Sequence, residues 1–115
     1  MLSALVVLGS LLISQDQAHL PHKALEGMTL PEGFSATVFA SEPMISQPIA
    51  MTTDAKGRVW VIENHSYPHW ITDGKQGKDK VLILEDTDGD GQADKKIVFL
   101  ENATNLSGIA LGQGG

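Results

Sequence analysis

The stretch Val81-Leu82-Ile83-Leu84-Glu85-Asp86-Thr87-Asp88-Gly89-Asp90-Gly91-Gln92-Ala93-Asp94-Lys95-Lys96-Ile97-Val98-Phe99-Leu100 decides the fold. Two short apolar runs, 81–84 and 97–100, flank a loop with carboxylates at alternate positions. Apolar runs of this length, rich in Val and Ile, read as strands, so the stretch predicts a β-hairpin with an acidic tip. A hard cation such as Ca²⁺ takes six to eight oxygens in a flexible cage, and a loop supplies them from alternate side chains when a glycine lets it turn. On that pattern Asp86, Asp88 and Asp90 are expected side-chain ligands, Gly91 makes the turn, Gln92 offers its carbonyl and Asp94 closes the set. The twelfth position, where an EF-hand places a bidentate Glu, is Ile97, and the flanks are not helical. The expectation is therefore a calcium loop on a hairpin. The alternative is an acidic Asp-Gly turn without an ion, because both residues favour tight turns.

Working outward, a second hairpin is expected over residues 49–62. Asp54-Ala55-Lys56-Gly57 has the composition of a turn, and Val59-Trp60-Val61-Ile62 is apolar without alternation, which predicts a strand covered on both faces. Trp60 is expected in the core between blades. Residues 34–40 are expected as a further strand packing through Phe34, Val38 and Phe39, and Gly108-Ile109-Ala110-Leu111 as the opening of another. The connection from Asn64 to Lys80 is long for a compact domain, and such loops carry function more often than packing. Within it Tyr67 and Trp70 are candidates to stack on a sugar, against the alternative of plain loop packing.

The 115 residues leave room for one small domain. The net charge of −6 is mostly local: residues 85–94 hold five carboxylates and no cation, leaving about −1 elsewhere. No basic stripe is present, so nucleic acid is not an expected partner. With no cysteine, disulfides, thiol catalysis and covalent haem attachment are excluded from this stretch of chain. Residues 1–13 are nearly all apolar and turn polar at Ser14-Gln15-Asp16. That is too short to span a bilayer and suits a signal peptide over 1–18, hence export to the periplasm or cell envelope. The alternative is a buried terminal element. Residues 19–31 read as a linker with one helical turn, in which His19 and His22 are an exposed pair.

Short strands joined by tight turns give an all-β chain: a partial β-propeller over residues 32–115, holding the first one or two blades, or a sandwich. At about 40–50 residues per blade, a closed ring needs more chain, so a fragment is expected. Leu30-Pro31-Glu32-Gly33-Phe34, Phe39-Ala40-Ser41-Glu42-Pro43, Asp54-Ala55-Lys56-Gly57-Arg58-Val59-Trp60-Val61-Ile62-Glu63 and Leu84-Glu85-Asp86-Thr87-Asp88-Gly89-Asp90-Gly91 together resemble the N-terminal domain of a membrane-bound dehydrogenase family of planctomycete and verrucomicrobial bacteria. That propeller is similar to the six-bladed quinoprotein glucose/sorbosone dehydrogenases. The resemblance implies an exported oxidoreductase for a sugar or polyol, with pyrroloquinoline quinone as cofactor and electrons passed to haem in a C-terminal cytochrome domain. None of the quinone's ligands maps onto a residue here.

Glu63 falls where the family's recurring Glu lies and is a candidate base or substrate acceptor, against pairing with Arg58 or capping backbone amides. His65 is a second candidate base, and Pro68 argues against a helix that would pair it with His69. The rival reading is a non-catalytic, calcium-stabilised propeller that binds glycans or protein partners. A truncated gene product is a third.

Overall fold

The computed structural model describes residues 21–114; residues 1–20, with the signal-like segment and His19, and Gly115 lie outside the described residues. One short helix, α1 (Pro21–Glu26), precedes four strands: β1 (Pro48–Thr53), β2 (Val59–Glu63), β3 (Asp79–Glu85) and β4 (Lys95–Ala103). Pro21 suits the first helical position, where its missing N–H has no intrahelical acceptor. No helix among the described residues is long and apolar enough to cross a membrane.

The strands form one antiparallel sheet in sequential order β1-β2-β3-β4. Both expected hairpins are present and share this sheet, with Trp60 opposite Ile83 and Val61 opposite Leu82 across the β2–β3 seam. Opposed residues project to the same face, so Trp60, Ile62, Val81 and Ile83 line one side. Val59, Val61, Leu82 and Leu84 line the other. The core is these central strands: Ile62, Leu82 and Leu84 are each 1 % exposed. The outer strands are largely solvent-facing. Trp60 is half-buried, its ring edge-on to Phe99 at 4.9 Å.

Two expected strands are absent. Residues 34–40 form no ladder. They are tied instead to the acidic loop, the Ala93 amide donating to the Phe39 carbonyl at 2.8 Å and the Thr37 hydroxyl to the Gly91 carbonyl at 3.0 Å. Phe34, expected to pack, is 71 % exposed. Residues 108–111 also form no strand. β propensity does not make a strand where no neighbour presents a matching row of donors and acceptors. The chain leaves the sheet after Ala103, with Asn102 and Asn105 at φ 59° and 55° redirecting it.

Asp54 closes the first hairpin. Its Oδ1 accepts from the amides of Lys56 (2.9 Å) and Arg58 (3.0 Å), while Oδ2 accepts from Arg58 Nε (2.7 Å) and Trp60 Nε1 (3.0 Å). The Trp60 indole does most to hold this carboxyl far below the ordinary carboxylate range. Partial burial opposes it, and the Arg58 amide and guanidinium and the Lys56 amide add to it. A depressed pKa stabilises the fold above the unfolded value, and the gain is lost as pH falls towards the folded one. The melting-temperature advantage of wild type over Asp54→Asn should thus be complete above about pH 5 and shrink as pH drops below about 3.9. Paired thermal melts across that range check it.

Candidate functional site

The acidic hairpin tip and the opposite corner of the sheet concentrate the polar chemistry. At the tip, Asp86, Asp88 and Asp94 each place a carboxylate oxygen within 4.8 Å of the others. Asp90 is not one of the converging three; its Oδ1 accepts the Gln92 amide at 2.8 Å, and Gln92 is exposed. Local backbone bonds shape the cage. Asp86 takes the Gly89 amide on Oδ1 (2.7 Å) and the Gly91 amide on Oδ2 (2.8 Å). Thr87 holds Asp94 through its amide (3.0 Å) and its hydroxyl (2.9 Å). Gly91 is required twice over: its φ is +85°, and a Cβ there would lie 2.9 Å from Thr37 Oγ1.

The electrostatics of the three carboxylates diverge. The Gly91 amide chiefly lowers the pKa of Asp86, against a smaller burial effect, and the Gly89 amide helps. Asp88 receives one lowering bond from the Asp90 amide, but desolvation, the charges of Asp90 and Asp94 and the contact with Asp86 outweigh it. Its carboxyl therefore sits above the ordinary value, as expected where like charges crowd. Three carboxylate oxygens this close can converge on a single metal ion. A carboxylate oxygen has two lone pairs, so the amide bonds leave ligating capacity on each.

At the corner where β2 ends, the chain enters its long connection through Glu63, Asn64, His65 and Ser66. Glu63, 5 % exposed, accepts the Ser46 amide (2.8 Å) on Oε1 and faces His65 Nε2 (3.1 Å) with Oε2. Arg58 is not its partner, because Asp54 already holds that guanidinium. Amide capping of Glu63, the other expectation, is what the corner shows. With Nε2 turned to a carboxylate, His65 keeps Nδ1 for other chemistry. Behind it lies Asp79, 0 % exposed, which accepts the Ser66 amide (2.9 Å), the Ser66 hydroxyl (2.8 Å) and the Leu106 amide (2.9 Å). Burial by itself pushes the Asp79 carboxyl up, but the Leu106, Ser66 and His65 donors together outweigh it and leave the pKa lowered. Asn64, 2 % exposed, accepts the amides of Ser66 and Tyr67 and donates to the Leu106 carbonyl at 2.7 Å.

Sequence reasoning singled out Glu63 and His65 here but missed Asn64, Ser66 and Asp79. An aspartate opening an apolar strand was the available signal, because a charge in that position needs partners when the strand is buried. Tyr67 and Trp70 are 67 % and 50 % exposed.

Fold and site together define an antiparallel β-sheet protein with an acidic, cation-sized hairpin loop and a buried polar corner. The chain belongs to the family described as "Domain of unknown function (DUF7133)", which matches residues 20–115. No curated protein and no solved structure matches it.

Asp79→Ala would leave the Leu106 amide and the Ser66 hydroxyl without their acceptor inside the fold. The expected cost is about 3 kcal/mol of stability. Denaturant unfolding of the two proteins measures it.

Proposed function

We propose that this chain forms part of a β-propeller in an exported, quinoprotein-like dehydrogenase, with the acidic loop binding a structural Ca²⁺. The observation that carries the propeller reading is the sequential four-stranded meander with apolar residues on both faces of its central strands, the make-up of a propeller blade. The converging carboxylates of Asp86, Asp88 and Asp94 support the ion. Asp90 and the Gln92 carbonyl belong to the proposed ligand set as well, drawn in when the ion replaces repulsion with attraction. Its role is structural: it locks the hairpin joining β3 to β4.

Sugar or polyol oxidation rests on the family resemblance. No residue of this chain is assigned to a quinone, and haem belongs to a cytochrome domain outside this sequence. What the chain offers such a reaction is His65, oriented by the buried Glu63 carboxylate and able to accept a hydroxyl proton. A second reading, a non-catalytic propeller that binds glycans or proteins, is favoured by the exposed Tyr67 and Trp70 beside the same corner.

Two measurements test these readings. Millimolar Ca²⁺ should raise the melting temperature by several degrees and a chelator should reverse it, through preferential binding to the folded state. Asp88→Asn should blunt the shift; an unmoved transition would remove the calcium reading. In the full-length, cofactor-loaded protein, His65→Ala should lower kcat for the alcohol substrate by at least about 10²-fold. Unchanged turnover would sink His65 as the base, and no turnover in wild type would leave the binding reading.

A further inference from the structure

We propose that Asp73 is a modification site, converted to isoaspartate by attack of the Gly74 amide nitrogen on its side-chain carboxyl. An aspartate followed by glycine is open to this reaction, because no Cβ shields the attacking nitrogen. The chain has three such steps: Asp73-Gly74, Asp88-Gly89 and Asp90-Gly91. Hydrogen bonding sets the first apart from the other two.

The carboxyl is placed alike in all three. Each aspartate accepts, through Oδ1, the amide two residues on: Lys75 to Asp73 (3.2 Å), Asp90 to Asp88 (3.2 Å) and Gln92 to Asp90 (2.8 Å). A side chain folded back in this way lies alongside the intervening glycine. The glycines match too, with φ of +76°, +78° and +85°. What differs is the glycine amide itself. Gly89 donates to Asp86 Oδ1 at 2.7 Å and Gly91 to Asp86 Oδ2 at 2.8 Å, so one carboxylate holds both nitrogens of the acidic loop. The Gly74 amide has no acceptor among the described residues. A nitrogen that donates to a charged acceptor must give up that bond before it can turn to attack.

The surroundings leave Asp73 free to reach the geometry of attack. Asn105 accepts the Ile71 amide at 3.0 Å and donates to its carbonyl at 2.7 Å, and Thr104 accepts the Gly77 amide at 2.8 Å. Between these ties, residues 72–76 make no hydrogen bond to the rest of the chain among the described residues, so turning one peptide there opens nothing else. Lys75 works the other way. Its ammonium, 2.7 Å from Asp73 Oδ2, and its amide lower the pKa of Asp73, whereas the reaction consumes the neutral carboxyl. The Lys75 side chain is 81 % exposed, so water and salt screen the pair, while the bonds to Asp86 must break outright. Availability of the nitrogen therefore decides which step reacts.

In the reaction the Gly74 nitrogen bonds to Asp73 Cγ and one water leaves, closing a five-membered succinimide. Water then opens the ring at either carbonyl. Opening at the main-chain carbonyl sends the backbone through the side-chain carbon, one methylene longer, and leaves the free carboxylate on Cα. One water is lost and one regained, so no oxidant or reductant takes part. The product lengthens the chain between the Ile71 and Gly77 ties and moves the charge that Lys75 holds.

The inference needs neither the ion nor the redox chemistry proposed above. The full 115-residue chain is aged at about pH 6 with a chelator present, so that no cation adds to the hold of Asp86. Isoaspartate is located by peptide mapping and by labelling with an isoaspartyl methyltransferase. It should accumulate at Asp73 at least about tenfold faster than at Asp88 or Asp90. Asp73→Glu, which would have to close a six-membered ring, should abolish the signal, and Lys75→Ala should quicken it. Asp86→Ala should raise the rates at Asp88 and Asp90 about tenfold and leave Asp73 unchanged, the last serving as the control for the fold. No isoaspartate at Asp73, equal rates at the three steps in wild type, or rates at Asp88 and Asp90 unmoved by Asp86→Ala would each overturn the proposal.

Discussion

A fully buried carboxylate at the start of β3 is the constraint on which the corner of this fold depends. Asp79 cannot shed its charge cheaply, since its bonds lower its pKa, and it cannot reach water. Its donors must therefore come from the chain, and they come from two distant places: Ser66, after β2, and Leu106, after β4. One side chain thereby closes the β2–β3 connection and the segment leaving β4 onto the same edge of the sheet. A buried charge with all its partners is a strong specifier of geometry, because any rearrangement that loses a partner is costly.

The acidic hairpin tip meets its charges differently. Burial is partial, so Asp86 and Asp94 are held by amide and hydroxyl donors within the loop itself, while Asp88 is left among like charges. The tip is also wired to the rest of the molecule. The segment before β1 docks on it through Phe39 and Thr37, and Gly91 leaves room for that contact. The same segment, through Val38, Phe39 and Ala40, borders a cavity over the face that carries Val59, Val61 and Leu84.

What was legible in the sequence was local. The composition of residues 59–62 and 81–84 reported strands, the first of them covered on both faces, and Asp54 through Gly57 reported its turn, because these depend on neighbours a few residues away. The acidic loop was legible for the same reason, and its aspartates at 86, 88 and 94 do converge. The strands expected over residues 34–40 and 108–111 failed for the complementary reason. Their side chains fit a sheet, but a ladder needs a partner that sequence alone does not supply.

By itself, then, the sequence determined the mostly β character, both hairpins and the position of the charged loop, since each follows from short apolar runs, turn chemistry and the spacing of the aspartates. Only the tertiary structure decided that the hairpins share one sheet. It also decided that Glu63 faces His65 rather than Arg58, and that Asn64 and Asp79 organise the corner. Those contacts join groups up to 42 residues apart, as from Asn64 to Leu106. Long-range partners are chosen by which polar groups the packed sheet buries together, a property of the folded chain and not of any one stretch of it.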